Sequence, residues 1–143
     1  MQNPALQQTQ IVGKDWYIYS ASALAIGAGD NVTDTINIQA NSDFMLYKLS
    51  YVAYMGLGPV TEAFRQEPLV SVQLTDTGSG QQLFSNQLPL TLMFGTGERI
   101  YTLPQARRFR ANTTMSINFL NFSAGTTYDI YLAFHGMKMY AND

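Results

Sequence analysis

Val70, Val72 and Leu74 alternate with Ser71, Gln73 and Thr75, and this two-residue period recurs through most of the chain. Successive side chains of an extended strand point to opposite faces, so such alternation specifies strands with one dry face and one wet face. Met115, Ile117 and Phe119 oppose Ser116 and Asn118 in the same way, and Ile36 and Ile38 flank Asn37. Tyr128, Ile130, Leu132 and Phe134 share one face of a strand that continues through Met137 and Met139. No window shows the 3.6-residue period of an amphipathic helix.

The strands are separated by residues that tolerate positive φ or bond their own backbone: Gly27 to Asn31, Ala40 to Asp43, Asp76 to Gly80, and Asn121 to Gly125. Between them the pattern predicts strands at Trp16–Ser20, Val32–Gln39, Phe44–Met55, Leu69–Thr75, Gln81–Phe84, Thr114–Leu120 and from Tyr128 onward. Pro89, Gly95, Gly97 and Pro104 interrupt residues 85 to 111, where one strand is expected, Arg99–Leu103. Val60 to Pro68 reads as a loop or a single helical turn. About eight short strands with regular turns predict an all-β fold: a two-sheet antiparallel sandwich of jelly-roll or Greek-key type. Met45, Leu49, Val70, Val72, Leu74, Ile117, Phe119, Ile130, Leu132 and Phe134 are the expected inter-sheet core.

The chain's 143 residues suit one domain, and with no cysteine it has neither disulfides nor thiolate metal sites, so packing must hold it together. Residues 1 to 13 are glutamine-rich and aperiodic, which predicts an extended N-terminal arm before a single domain over 14 to 143. The arm lacks the basic flank and apolar run of an export signal, and no apolar stretch is long enough to span a bilayer. The expectation is a soluble chain made in the cytoplasm, without a membrane partner.

Charged residues make up 13% of the chain, about half the roughly 25% of ordinary soluble domains, so much of the surface must be neutral. Nine tyrosines, eight phenylalanines and seven methionines accompany that deficit. Aromatics and methionine are enriched where proteins touch proteins, and lysine and glutamate are depleted there. Both faces of Phe44–Met55 are apolar: Met45, Tyr47, Leu49, Tyr51, Ala53 and Met55 on one, Phe44, Leu46, Val52 and Tyr54 on the other. One of them is expected to lie under a loop or a neighbouring subunit. Three arginines fall within Arg107-Arg108-Phe109-Arg110, but a net charge of -2 gives them no basic surroundings, which disfavours nucleic acid. If Phe109 packs inward, Arg107 turns inward with it, leaving Arg108 and Arg110 for a carboxylate on another protein. The expected protein-binding residues are Arg108, Arg110, Tyr47, Tyr51 and Trp16.

Catalytic patterns are missing. His135 is the single histidine, Ser42, Ser79 and Ser123 sit in turns, and no Gly-x-Ser-x-Gly elbow or phosphate-binding glycine loop occurs. Asp30, Asp34 and Asp43, with Asn31, Asn37 and Asn41, match no calcium-loop spacing. Sequons at Asn31, Asn112 and Asn121 are read as chance matches. No cofactor, metal or enzymatic activity is expected.

An Ile-x-Ile strand leading into Asp43-Phe44-Met45-Leu46-Tyr47-Lys48-Leu49, a Leu-Pro-x-x-Arg-Arg-Phe segment at 103 to 109, the Ala111-Asn112-Thr113-Thr114 turn and the closing Tyr-Asp-Ile-Tyr-Leu-Ala-Phe-His-Gly strand resemble small head proteins of tailed bacteriophages. The resemblance, over residues 15 to 140, is to jelly-roll decoration or cement proteins. It implies a non-enzymatic virion structural protein on the outer surface of a phage capsid, synthesised in the host cytoplasm. Its implied partners are the major capsid protein and neighbouring copies, as a homodimer or homotrimer, with no direct nucleic-acid contact. The alternative is a carbohydrate- or receptor-binding sandwich of a phage tail or fibre, with Trp16 or tyrosines as sugar platforms.

Overall fold

Alternating apolar residues produce nine strands in the computed structural model, which describes residues 11–56, 67–83 and 86–141. They are β1 (Ile11–Ile26), β2 (Asn31–Asn37), β3 (Asp43–Met55), β4 (Val70–Asp76), β5 (Gln81–Gln82), β6 (Leu88–Pro89), β7 (Tyr101–Phe109), β8 (Thr114–Asn121) and β9 (Tyr128–Ala141). One helical turn, α1 (Leu90–Met93), interrupts them. One sheet has the order β1-β9-β3-β7; the other runs β2-β8-β4-β5, with β6 also paired to β4. All these strand pairs are antiparallel. Two facing sheets whose strands interleave in sequence make the expected jelly-roll sandwich.

The core lies between the sheets. Phe44, Phe109, Phe119 and Phe134 are fully buried with Leu46, Leu49, Leu74, Met115, Ile117 and Ile130. Tyr19 packs edge-on against Phe44, ring centroids 4.8 Å apart, and its hydroxyl accepts the Gln39 N–H at 3.1 Å. Nine of the ten expected core residues are buried, and Met45 is the exception. A bulge explains it: β3 pairs Leu46 with Gly136 and then Lys48 with His135, leaving Tyr47 out of the ladder. An extra residue reverses the inward face of a strand. Phe44 and Leu46 therefore point inward before the bulge, and Leu49, Tyr51 and Ala53 after it.

Other boundaries also moved. β1 includes residues 11 to 13 of the expected arm, with Ile11 opposite Ala141 and Gly13 opposite Tyr140; residues 1 to 10 lie outside the described residues. Most of the expected Val60–Pro68 loop, residues 60 to 66, also lies outside them. The strand expected at Arg99–Leu103 begins at Tyr101 and extends through Phe109 despite Pro104, because β7 is an edge strand and an edge tolerates a missing N–H. Its register is irregular as well: Arg107 faces Leu46, but the next β7 partner, Thr102, faces Lys48. Leu103 to Ala106 thus leave the ladder.

The two seams of the sandwich differ. Where β1 meets β2, the Asp34 carboxylate accepts the Ser22 N–H at 2.9 Å and knits the sheets together. At the other seam, β7 and the β4–β5 hairpin flank a cleft of about 440 Å³.

Candidate functional site

Three places on this frame gather side chains that could contact another molecule. The first is the outer face of the β1-β9-β3-β7 sheet. In cross-strand rows it presents Trp16, Met137 and Met45; Ile18, His135 and Lys48; Ser20, Ala133 and Ser50; and Ser22, Tyr131 and Val52. On β1, β9 and β3 those four rows carry one formal charge at neutral pH, that of Lys48, and Arg108 of β7 extends the first row. Trp16 is 54% exposed, Ile18 in the next row is exposed, and so is Tyr131 in the fourth row. The small residues of the third row sink below the large ones, forming a hollow of about 340 Å³ lined by Ser20, Ser50, Val52, Tyr131 and Ala133.

His135 sits in this face, with the Trp16 ring 5.8 Å away and Ser50 Oγ 2.8 Å from its Nε2. Burial and then the charge of Lys48 hold its pKa below the ordinary value of 6.5, favouring neutral imidazole. A serine and a neutral histidine in contact are two members of a hydrolytic triad. The third, a carboxylate hydrogen-bonded to the histidine, is missing among the described residues. The pair was not legible in the sequence, because a β3 bulge and a diagonal cross-strand contact bring Ser50 and His135 together.

The second place is the cleft at the open seam. Arg107, Arg108 and Arg110 line it with Gln105 and Ala106 from one side, and Asp76, Gly78, Ser79 and Gln81 from the other. Phe109 is buried as expected, and Arg107 is half-buried. Arg108 forms an ion pair with Asp43, its Nε 2.8 Å from Oδ2. Burial opposes ionisation of Asp43, but the Ala111 N–H at 2.8 Å and the Arg108 guanidinium outweigh it and lower its pKa.

The third is the set of Asp/Asn turns. Each carboxylate serves its own backbone: Asp30 accepts the Gly27 N–H at 2.9 Å, Asp34 that of Ser22, and Asp43 that of Ala111. No cluster of three or more metal-ligating His, Cys, Asp or Glu side chains occurs among the described residues. Asn121 is fully buried and donates to the Ile26 and Thr126 carbonyls, so the folded chain closes that sequon to modification.

Of the expected contact residues, Trp16, Tyr47, Arg108 and Arg110 are exposed. Tyr51, on the inward side of β3 after the bulge, is buried in the sandwich. Trp16 and Arg108 lie at opposite ends of the Trp16-Met137-Met45-Arg108 row, so the sheet brings them onto one face.

No protein-family model matches the chain, and no curated protein does. Among solved structures, it is similar to the infectious bursal disease virus VP2 subviral particle protein, at 8% identity and a TM-score of 0.34, over 92% of this chain and 43% of that one. It is similar to the extra small virus particle protein of the giant freshwater prawn Macrobrachium rosenbergii, at 11% identity and a TM-score of 0.31, over 90% and 81%. It is also similar to dimeric latent PorU from Porphyromonas gingivalis, at 10% identity and a TM-score of 0.36, over 87% and 13%. The chain thus spans less than half of the first of these proteins, and overlaps this loose assign no function.

Proposed function

We propose that the chain is a non-enzymatic structural protein of a virus particle that works by binding protein. The observation that carries this reading is the outer face of the β1-β9-β3-β7 sheet, where Trp16, Ile18, Met45 and Met137 lie together with Tyr131 further along the face, and the charges of Lys48 and Arg108 sit toward the β3–β7 side. Exposed apolar surface of this kind, with charge depleted from its centre, is characteristic of protein interfaces. In finer detail, the protein decorates the outside of a phage capsid, with the major capsid protein and other copies of itself as partners. The resemblance of its motifs to phage decoration proteins supports that detail. Sedimentation velocity of the purified chain, and co-sedimentation with undecorated capsids, test the two levels separately. The wild type should associate and bind shells, whereas Trp16→Asp should do neither while remaining folded. A monomer that ignores capsids would overturn the reading.

A second reading has one observation in its favour: the Trp16 ring is open to solvent, as a sugar platform requires. Its flanks are Ile18, Met137 and His135, which provide little hydrogen bonding for sugar hydroxyls. Binding on a glycan array that disappears with Trp16→Ala would move the assignment to receptor recognition.

A further inference from the structure

We propose that the cleft between β7 and the β4–β5 hairpin is a binding site for the carboxylates of an acidic peptide segment. The cleft opens at the seam between the sheets; Arg108 is shared with the outer face, at the far end of the Trp16 row, so the assignment rests on Arg107 and Arg110 and is tested there, apart from the assembly reading.

The cleft is built, not incidental. Leu103 to Ala106 leave the β3–β7 ladder, and this departure brings Gln105 and Ala106 to the cleft wall beside the three arginines. Bulges re-aim side chains in this way at the edges of sheets. The opposite wall is held by Asp76, whose Oδ1 accepts the Gly78 N–H at 3.0 Å and whose Oδ2 accepts the Ser79 hydroxyl at 3.2 Å. Asp76 is thus occupied in shaping the turn. Arg108 is anchored by Asp43, whereas Arg107 and Arg110 form no ion pair among the described residues. Two guanidinium groups outside any ion pair among the described residues therefore line a concave site with the amides of Gln81 and Gln105. Guanidinium binds carboxylate through paired charge-assisted hydrogen bonds.

The surroundings also select among anions. The chain's net charge of -2 adds no long-range attraction for the continuous charge of a nucleic-acid backbone. Among the described residues no aromatic ring lines the cleft, which leaves a sugar acid without a stacking surface there. A volume of about 440 Å³ accommodates one or two acidic side chains on an extended segment.

The test is an amide-resolved NMR titration of the full chain with acetyl-(Glu)4-amide, alongside acetyl-(Gln)4-amide, inorganic phosphate and a short oligothymidylate. The glutamate peptide should shift the amides of Ser79, Gln81 and Arg110 and bind more tightly than the other three. Arg107→Gln and Arg110→Gln should each weaken it about tenfold, as loss of one charge-assisted contact does. Trp16→Ala should leave it unchanged. Arg110 is exposed, so its variant alone decides the matter if Arg107→Gln fails to fold. Absent or delocalised shifts, equal binding of phosphate or oligothymidylate, or full affinity in Arg110→Gln would overturn the proposal.

Discussion

Ser50 Oγ and His135 Nε2 lie 2.8 Å apart on neighbouring strands, although the ladder pairs Ser50 with Ala133 and His135 with Lys48. The diagonal contact places a titratable ring between a hydroxyl and an ammonium group, and that setting has a consequence for stability.

Because the folded state holds the His135 pKa below 6.5, the unfolded chain binds the proton more readily. The contribution of neutral His135 is therefore complete above pH 6.5 and is lost as pH falls from there through the lower folded value. Melting temperature should be level at pH 7 to 8 and decline below about 6.5, the ordinary histidine value. His135→Gln should remove that decline. A wild-type melting curve that is flat down to pH 5 would contradict this account.

Phe119 is fully buried on β8, between Val32 of β2 and Val72 of β4 in the ladder. Phe119→Ala should lower unfolding free energy by about 3 to 5 kcal/mol, the usual cost of truncating a core phenylalanine. Chemical denaturation reads this directly, and an unchanged midpoint would mean that the strand faces inward by another residue.

Gly136 allows close packing of β9 on β3. A Cβ at this position would stand 2.1 Å from the Met45 carbonyl oxygen and 2.7 Å from the Phe44 ring. Gly136→Ala should cost at least about 2 kcal/mol, because backbone cannot move aside as a flexible side chain can. Gly125→Ala, where nothing lies within 4 Å, should be close to neutral in the same melting assay.

Asn121 joins the end of β8 to both flanking turns. Its amide donates to the Ile26 carbonyl at 2.9 Å and the Thr126 carbonyl at 2.8 Å, and its own oxygen accepts the Ser123 N–H at 2.9 Å. Asn121→Ala removes all three bonds, with the Thr126 carbonyl keeping the Ser123 hydroxyl at 3.0 Å, and should cost about 1 to 3 kcal/mol. Asn112, exposed in its turn at a φ of 61°, should instead tolerate glycine. Thermal unfolding of the two variants side by side separates these roles.

Strand periodicity made the sandwich readable because the inward residues of β4, β8 and β9 alternate without interruption. It failed at Met45 because nothing in Leu46-Tyr47-Lys48 signals that Tyr47 leaves the ladder. A bulge is set by pairing with β9 and β7, not by local propensity. The same limit hid the cleft: three arginines within four residues were visible, but Asp76, Ser79 and Gln81 reach them only through the meeting of two sheet edges. Trp16 and Arg108 were legible as exposed residues, whereas the burial of Tyr51 follows from the bulge.

The pairing of β1 with β9 also orders events in time. β1 ends at Ile26 and β9 begins at Tyr128, yet the two are neighbours along nearly their whole length, and β9 separates β1 from β3. A nascent chain therefore cannot complete this sheet until β9 has left the ribosome, and until then β1 and β3 expose the edges that β9 will fill. Contacts of such long sequence separation slow folding, with rates in the millisecond-to-second range for sandwiches of this kind. During that interval the unpaired edges are open to strands of other nascent copies.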